Sequence, residues 1–417
     1  MHTSSTAPAP FPWERTLFDP PAALADYREH EPIRPLLYPD GETGWLVTTH
    51  DFVRQVLGDA RFTMTTPARV VGETFILPAG GDSVRAEFSD VMAPMRAGTF
   101  INMDAPDHTR FRRALGGRFS PKKVGGLADV IEEIVAERLD AMDASPQPCE
   151  FVEGFAVPVA LRTICHVLGL PVRPEWHEIS VLMEVDPPID EELLAQYRRF
   201  LEAMTADVRA LRDQPNDGVL STLLHGGDFT EEEVIGLGQF LVIAGHHTTS
   251  NMMSLGVLVL QQERSHWDAV LADPDSLGAT IEELIRYITV LQLAPFTRTA
   301  TEDVPIGDVL VRAGERVQVS ALSANRDSAF FSDPDRFQPG RDTAGHLAFG
   351  YGIHQCLGQH LARLELRIVF TRLVERFPDL RPAVPVDELV TYPGWYPGHG
   401  VQELPVVWGA DAEGENS

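Results

Sequence analysis

Phe349-Gly350-Tyr351-Gly352-Ile353-His354-Gln355-Cys356-Leu357-Gly358 sets one cysteine in a glycine-rich loop with no second cysteine nearby. Directly after it, Leu357 to Phe370 reads as an amphipathic helix, with Leu361, Leu364, Leu366 and Ile368 interleaved with Arg363, Glu365 and Arg367. A thiol at a helix N-terminus lies among backbone N–H groups, which shift it toward thiolate. Such a thiolate is either a nucleophile or a metal ligand. The plain alternative is a buried cysteine in a turn, since free cysteine is among the most buried residue types.

The surrounding pattern decides between them. F-G-x-G-x-H-x-C-x-G resembles the haem-binding loop of the cytochrome P450 family, with every fixed position filled. The resemblance implies that Cys356 is the axial thiolate of a haem b iron. It implies that Phe349, Gly350, Gly352 and Gly358 shape the loop against the porphyrin, where glycine permits tight turns and close backbone approach, and that His354 points toward a propionate. A thiolate ligand pushes electron density onto iron and favours O–O cleavage, which is why this chemistry uses sulfur.

A second constellation lies mid-chain. Thr230-x-x-Glu233 forms a capping box that opens a long apolar run from Val234 to about Leu260, interrupted at Gly236, Gly238, Gly245 and Gly256. A helix this apolar is expected to cross the core. Within it, Ala244-Gly245-His246-His247-Thr248 resembles the family's oxygen-binding motif, alanine-glycine-any-acid-threonine. The resemblance implies that Ala244 and Thr248 face the haem, that Gly245 allows a local widening of the helix, and that the threonine hydroxyl serves oxygen activation. A threonine in a helix also commonly bonds back to the carbonyl four residues earlier. The acid position holds His247, a departure from the family pattern. A histidine can relay protons, protons can instead arrive through water, or the chemistry can need fewer of them. His246, one step round the helix, is expected to point into protein.

The other matches are architectural or bind the cofactor. Glu283-Leu284-Ile285-Arg286 resembles the family's E-x-x-R, and Arg341, in Phe337-Gln338-Pro339-Gly340-Arg341, is the implied third member of a buried triad. Asp104 to Arg113 resembles the start of a helix that clamps haem propionates, carrying His108 and Arg112 into that role, and Arg298 is implied as a further propionate ligand. Arginine offers the fork geometry that a buried carboxylate needs. Val309-Leu310-Val311 and Val317-Gln318-Val319 flank Ala313-Gly314 and read as a hairpin. The fold implied is mainly α with a small β region, the cytochrome P450 fold, as one domain over 1–417 with 1–15 disordered and 409–417 an acidic tail.

Bulk properties agree. No Pro/Gly/Ser linker, low-complexity tract or repeat divides the 417 residues, and 44% are hydrophobic, enough for a large core. Three cysteines make no disulfide framework, so a reducing cytoplasm is expected. No apolar segment has the ~18–20 residues of a membrane span, and a soluble bacterial protein is expected. A net charge of −27 argues against nucleic acid. No glycine-rich strand-to-helix fingerprint is evident, so neither flavin nor NAD is expected to bind. Against the acidic background Arg110, Arg112, Arg113, Arg118, Lys122 and Lys123 run without an intervening acid. Such a run is either a solvated helix face or a steering site for an acidic partner. The resemblance places it on the proximal side of the haem, where a ferredoxin, reduced by ferredoxin reductase, delivers electrons; Arg363 and Arg367 are candidates to share the patch. A monomer is expected.

By resemblance the substrate pocket draws on the loop Thr65 to Thr99, the segment around Met183 to Leu193, the helix near Leu241, Ala244 and Thr248, the segment Leu291 to Phe296, and a terminal turn at Gly394-Trp395-Tyr396-Pro397. Met92, Leu241, Leu293, Ala294 and Trp395 are its candidate wall residues. Apolar walls with adaptable methionine suit a bulky lipophilic molecule. The activity implied is a monooxygenase that inserts one oxygen atom of O2 by hydroxylation or epoxidation, in macrolide, polyketide or terpenoid biosynthesis of the actinobacterial type. His247 keeps two alternatives open: an oxidative rearrangement or coupling, or a homologue that recruits substrate without oxidising it.

Overall fold

The computed structural model describes residues 7–64, 92–182, 191–292, 297–393 and 398–409. Helices dominate: α1 (Ala23–His30), α2 (His50–Gly58), α3 (Ala93–Gly98), α4 (Asp107–Gly116), α5 (Pro121–Gly125), α6 (Ala128–Asp143), α7 (Val157–Leu168), α8 (Pro174–Leu182), α9 (Glu191–Asp213), α10 (Val219–Gly226), α11 (Glu231–Gln262), α12 (Arg264–Ala272), α13 (Leu277–Ile288), α14 (Ala321–Ala324) and α15 (Gln359–Arg376). Residues 7–15, part of the stretch expected to be disordered, are among the described residues. Phe11 is buried with Tyr38 and Leu46, and Ala9 bridges Leu36.

The long helix α11 is the axis of the main core. It opens as its sequence predicts: the Glu233 N–H donates to Thr230 Oγ1 at 3.2 Å, and the Thr230 N–H donates to Glu233 Oε2 at 2.8 Å. Both ends of its apolar run are buried, from Val234 to Leu260. Its glycines are docking points for neighbouring helices. A Cβ on Gly238 would meet Met204 Sδ of α9 at 2.7 Å, and one on Gly256 would meet the Phe370 ring of α15 at 2.5 Å. Gly236 and Gly98 bring the backbones of α11 and α3 together in the same way.

A smaller β region lies beside this core. Strands β1 (Ile33–Leu37), β2 (Thr43–Val47), β3 (Phe62–Thr63), β5 (Thr297–Ala300) and β8 (Arg316–Val319) form a sheet in the order β1-β2-β8-β5-β3, and β4 (Cys149–Glu150), β9 (Arg381–Pro382) and β10 (Pro405–Val407) form another. β2 and β8 are parallel, and the other pairs of the large sheet are antiparallel. The expected hairpin across Ala313-Gly314 does not form. Val309–Val311 is β7 and pairs backward with β6 (Val304–Ile306), in a register that sets Ile306 opposite Val309. Gly307, at φ +53, makes that tighter turn possible. β8 is left to fill the gap between β2 and β5, where Val317 and Val319 are fully buried.

The E-x-x-R residues are buried with their third partner. Arg286 donates from Nε and Nη2 to Glu283 at 2.7 and 2.9 Å, and Arg341 Nε donates to Glu283 Oε1 at 3.0 Å. The Gln338 N–H adds a bond to the same oxygen at 3.0 Å. Arg286 Nη1 reaches the carbonyls of Asn325 and Pro334 at 2.6 and 3.0 Å. Each charge in this knot has its partners, the condition under which buried ions are tolerated.

Candidate functional site

The cysteine loop is closed by its own backbone. The Cys356 N–H donates to the Phe349 carbonyl at 2.8 Å, and the Gly350 N–H donates to Leu347 O at 2.9 Å. Gly350 and Gly352 take φ values of +71 and +75, a left-handed conformation that glycine adopts without strain. A Cβ on Gly352 would also lie 2.7 Å from the Leu57 carbonyl. Gly358 caps α15 at an ordinary φ of −83, and a Cβ there would meet no protein atom within 4 Å.

Cys356 is solvent-exposed, yet protein is packed densely enough around its sulfur for desolvation to dominate. Burial pushes the thiol above its ordinary value, against the N–H groups of Gly358 and Gln359 and the charges of Arg112 and Arg363, which pull it down. The helix N-terminus acts in the expected direction and desolvation outweighs it. A coordinated metal ion deprotonates a thiol outright, so the site suits a ligand more than a free nucleophile.

Above the loop the four predicted propionate residues come together. His108 of α4 and His354 lie with ring centroids 4.2 Å apart. Burial, then the charges of Arg298, His108 and Arg112, push His354 down to about 3, with Asp104 pulling weakly the other way. Burial and Arg112 likewise lower His108. Both imidazoles are therefore neutral near pH 7. His108 Nε2 and His354 Nδ1 are buried without a hydrogen-bond partner in the described structure. Unsatisfied buried ring nitrogens beside two guanidiniums form a receptor for carboxylates, so the residues present fit a haem with its propionates.

On α11, Ala244 is exposed in the middle of an otherwise packed helix, and Gly245 and Thr248 are partly open, while Leu241 is buried. Open space therefore lies against this face. Thr248 Oγ1 donates to the Ala244 carbonyl at 3.0 Å, the back-bond named above as the ordinary alternative. That bond leaves the hydroxyl oxygen as an acceptor; donation into the open space requires breaking it. The helix runs through Gly245 without a break, and the expected local widening is not observed. The glycine instead admits Ile164 of α7, whose Cγ1 would lie 2.6 Å from a Cβ.

His247 is buried against Asn251, whose Nδ2 is 3.3 Å from Nε2 and 3.5 Å from Nδ1, and its ring centroid is 5.7 Å from that of Tyr392. His246 points into protein as expected, with Nδ1 2.7 Å from the Val242 carbonyl. Met92, at the start of α3, is buried. Leu293, Ala294 and Trp395, with residues 65–91 and 183–190, lie outside the described residues.

The cytochrome P450 family model matches residues 190–384. Cytochrome P450 105A3 of Streptomyces carbophilus is 36% identical, covering 97% of each chain. The chain belongs to the cytochrome P450 family. Pentalenic acid synthase of Streptomyces avermitilis is also 36% identical, over 97% of this chain and 99% of that protein. The solved mycinamicin VIII C21 methyl hydroxylase of Micromonospora griseorubida, bound to mycinamicin VIII, aligns with a TM-score of 0.83 at 32% identity, over 94% of this chain and 98% of that one. As a P450 the chain is a haem-iron monooxygenase that uses O2.

Two features of this P450 escape a reading of its sequence. Glu365, read there as part of a polar helix face, is buried, and burial raises its carboxyl well above the usual carboxylate range. Its flanking leucines, Leu364 and Leu366, were the available signal. The basic run is also less uniform than its spelling. Arg110 pairs with Glu233, Arg118 reaches Asp217 O and Thr222, and Arg363 is bound to Glu282. Arg113, Lys122, Lys123 and Arg367 are exposed. Among the described residues no helix is long and apolar enough to cross a membrane.

Proposed function

We propose that this P450 inserts one atom of O2 into a bulky lipophilic small molecule, by hydroxylation or epoxidation, as a tailoring step in secondary-metabolite biosynthesis in the cytoplasm, within a single haem domain. The observation that carries the reading is the pairing of an intact cysteine loop with an opened face of α11 at Ala244 and Thr248. Bound haem, held by Cys356 and by His108, Arg112, Arg298 and His354 at its carboxylates, supplies the oxidising chemistry. The chain's own contribution is positional. The loop fixes the sulfur through the Phe349 carbonyl, α11 presents the Thr248 hydroxyl, and His247 stands behind it on the proton side. An actinobacterial P450 that hydroxylates mycinamicin VIII supports a substrate of similar size and polarity. Electrons are proposed to come from a ferredoxin and its reductase through the face bearing Arg113, Lys122 and Lys123.

The test reconstitutes the holoenzyme with ferredoxin, ferredoxin reductase and a panel of lipophilic metabolites under labelled O2. Products carrying one labelled oxygen support the proposal. Binding of a metabolite and reduction of the iron without any oxidised product would establish the recruiting homologue. A rearranged or coupled product free of label would establish the atypical chemistry.

A further inference from the structure

Beside the cysteine loop, Glu282, Arg363, His346 and Gln359 form one connected set. Glu282 of α13 accepts from Arg363 Nε at 2.5 Å and from Nη2 at 2.9 Å. His346 Nδ1 accepts from the Ala348 N–H at 3.3 Å, which leaves Nε2 as the protonated nitrogen, 3.2 Å from the same carboxylate. Burial would raise Glu282, but the bonds from His346 and Arg363 prevail and hold it at about 2, an anion throughout the working range. Arg363 is fixed further by Gln359 Oε1 at 3.0 Å. Its guanidinium lies 4.5 Å from the Phe349 ring centroid, and the Phe349 carbonyl is the acceptor for the Cys356 N–H. The charge of Arg363, like that of Arg112, also reaches the Cys356 sulfur.

A solvent-exposed pair of this kind would contribute little. This one is bidentate, part-buried and joined to both ends of the loop, at residues 346–349 and on the helix that follows Cys356. We propose that Arg363 and Glu282 are positioning residues that act through Cys356: Arg363 stabilises charge on the sulfur, Glu282 holds and offsets that cation, and the pair sets the reduction potential of the bound iron. The inference rests on Cys356 being the iron ligand. Its physical basis is a sign. One electron from the redox partner makes the centre more negative, so a nearby cation favours the reduced form and a nearby anion disfavours it.

The experiment is spectroelectrochemical titration of the holoenzyme and its Arg363→Met, Arg363→Lys, Glu282→Gln and doubly substituted (Arg363→Met, Glu282→Gln) forms. Arg363→Met is expected to lower the reduced-to-oxidised ratio at fixed potential about three- to tenfold, or ~30–60 mV for a one-electron couple. Glu282→Gln should raise the ratio by a similar factor. Arg363→Lys, which keeps the charge, should stay near the parent, and the double variant should fall between the singles. A network that only braces the loop would move both single variants the same way or neither, and either result overturns the inference. Should Arg363→Met fail to retain haem, Glu282→Gln and Arg363→Lys carry the same sign test. Reduced parent protein with carbon monoxide separates the two levels. Absence of a thiolate-type band removes Cys356 as the ligand, whereas that band with unopposed shifts removes only the role of Arg363 and Glu282.

Discussion

Ile164 of α7 lies where a side chain on Gly245 of α11 would have to go: a Cβ there would sit 2.6 Å from Cγ1 and 2.8 Å from Cδ1. The glycine of the oxygen-side motif is thus also a helix–helix contact. Gly245→Ala should cost about 1–3 kcal/mol by overpacking, offset by at most ~1 kcal/mol of better helix propensity. Ile164→Ala removes both Cγ1 and Cδ1, so the double variant should be less destabilised than the sum of the two single variants. Denaturant midpoints of the four proteins give the coupling. Strictly additive effects would show that the two residues do not meet.

The Glu283 knot makes a larger prediction. Glu283→Gln leaves Arg286 buried with its charge uncompensated, and breaking such a pair costs about 3–5 kcal/mol. Arg286→Lys should be nearly as damaging, because a lysine cannot serve Glu283, Asn325 and Pro334 together. Thermal melting and the yield of haem-loaded protein measure both. A loss below ~1 kcal/mol for Glu283→Gln would mean that the pair is solvated in solution.

The parts of this molecule that were legible in its sequence are those written in contiguous residues. The capping box at Thr230 and Glu233 and the axis helix could be placed from spacing alone, because each is held by bonds between near neighbours. The triad needed the family resemblance to bring in Arg341, which lies far along the chain from Glu283. The β6–β7 hairpin was missed because the Gly307 turn competes with Ala313-Gly314, and only the gap between β2 and β5 settles which one pairs. Burial of Glu365 and the partners of Arg363 were hidden for a similar reason. A charge in an amphipathic pattern looks solvated until other helices pack over it.

Acid should destabilise the fold through its buried histidines. His246 is pushed down to about 3 by burial, with smaller contributions from His247 and His177 and an opposing bond to Val242. His399 is likewise pushed to about 3 by burial and Arg15. Above the ordinary histidine value of 6.5 both rings are neutral whether folded or not. Below it the unfolded chain takes up protons that the fold refuses, so stability falls as pH drops from 6.5 toward 3. Each ring contributes a slope approaching roughly 1.4 kcal/mol per pH unit in that window. His246→Gln keeps an N–H for the Val242 carbonyl and should flatten the profile by about that amount. An unchanged slope would show that His246 accepts a proton in the folded state.

Proton supply at the oxygen side turns on two neighbours. Thr248→Ala removes the hydroxyl now bonded to the Ala244 carbonyl, and product formed per electron should fall roughly several-fold with more peroxide released, because the donor that protonates oxygen is lost. If His247 is the relay, His247→Asn lowers the same ratio roughly twofold or more, while His247→Asp, which restores a titrating acid, keeps it close to the parent. Equal coupling in all three proteins at position 247 assigns delivery to water. Product and reductant are counted in one assay, so a slower enzyme is not mistaken for an uncoupled one.

Partner docking should depend on the cations that the fold leaves exposed. Arg110 and Arg118 are held by bonds to Glu233, Asp217 and Thr222, so their removal should reduce stability before it reduces docking. Lys122→Glu, Lys123→Glu and Arg113→Glu should each raise the KM for ferredoxin about two- to fivefold at low ionic strength, the scale of a peripheral charge at an interface. The effect should shrink as salt is added, because the screening length falls from about 10 Å at 0.1 M to about 3 Å at 1 M. Reversal of Arg376, a cation paired with Asp143 on the far part of α15, should leave that KM unchanged. A salt-independent rise would place the three residues in folding rather than docking, and no rise in any of them would move the electron-entry face elsewhere.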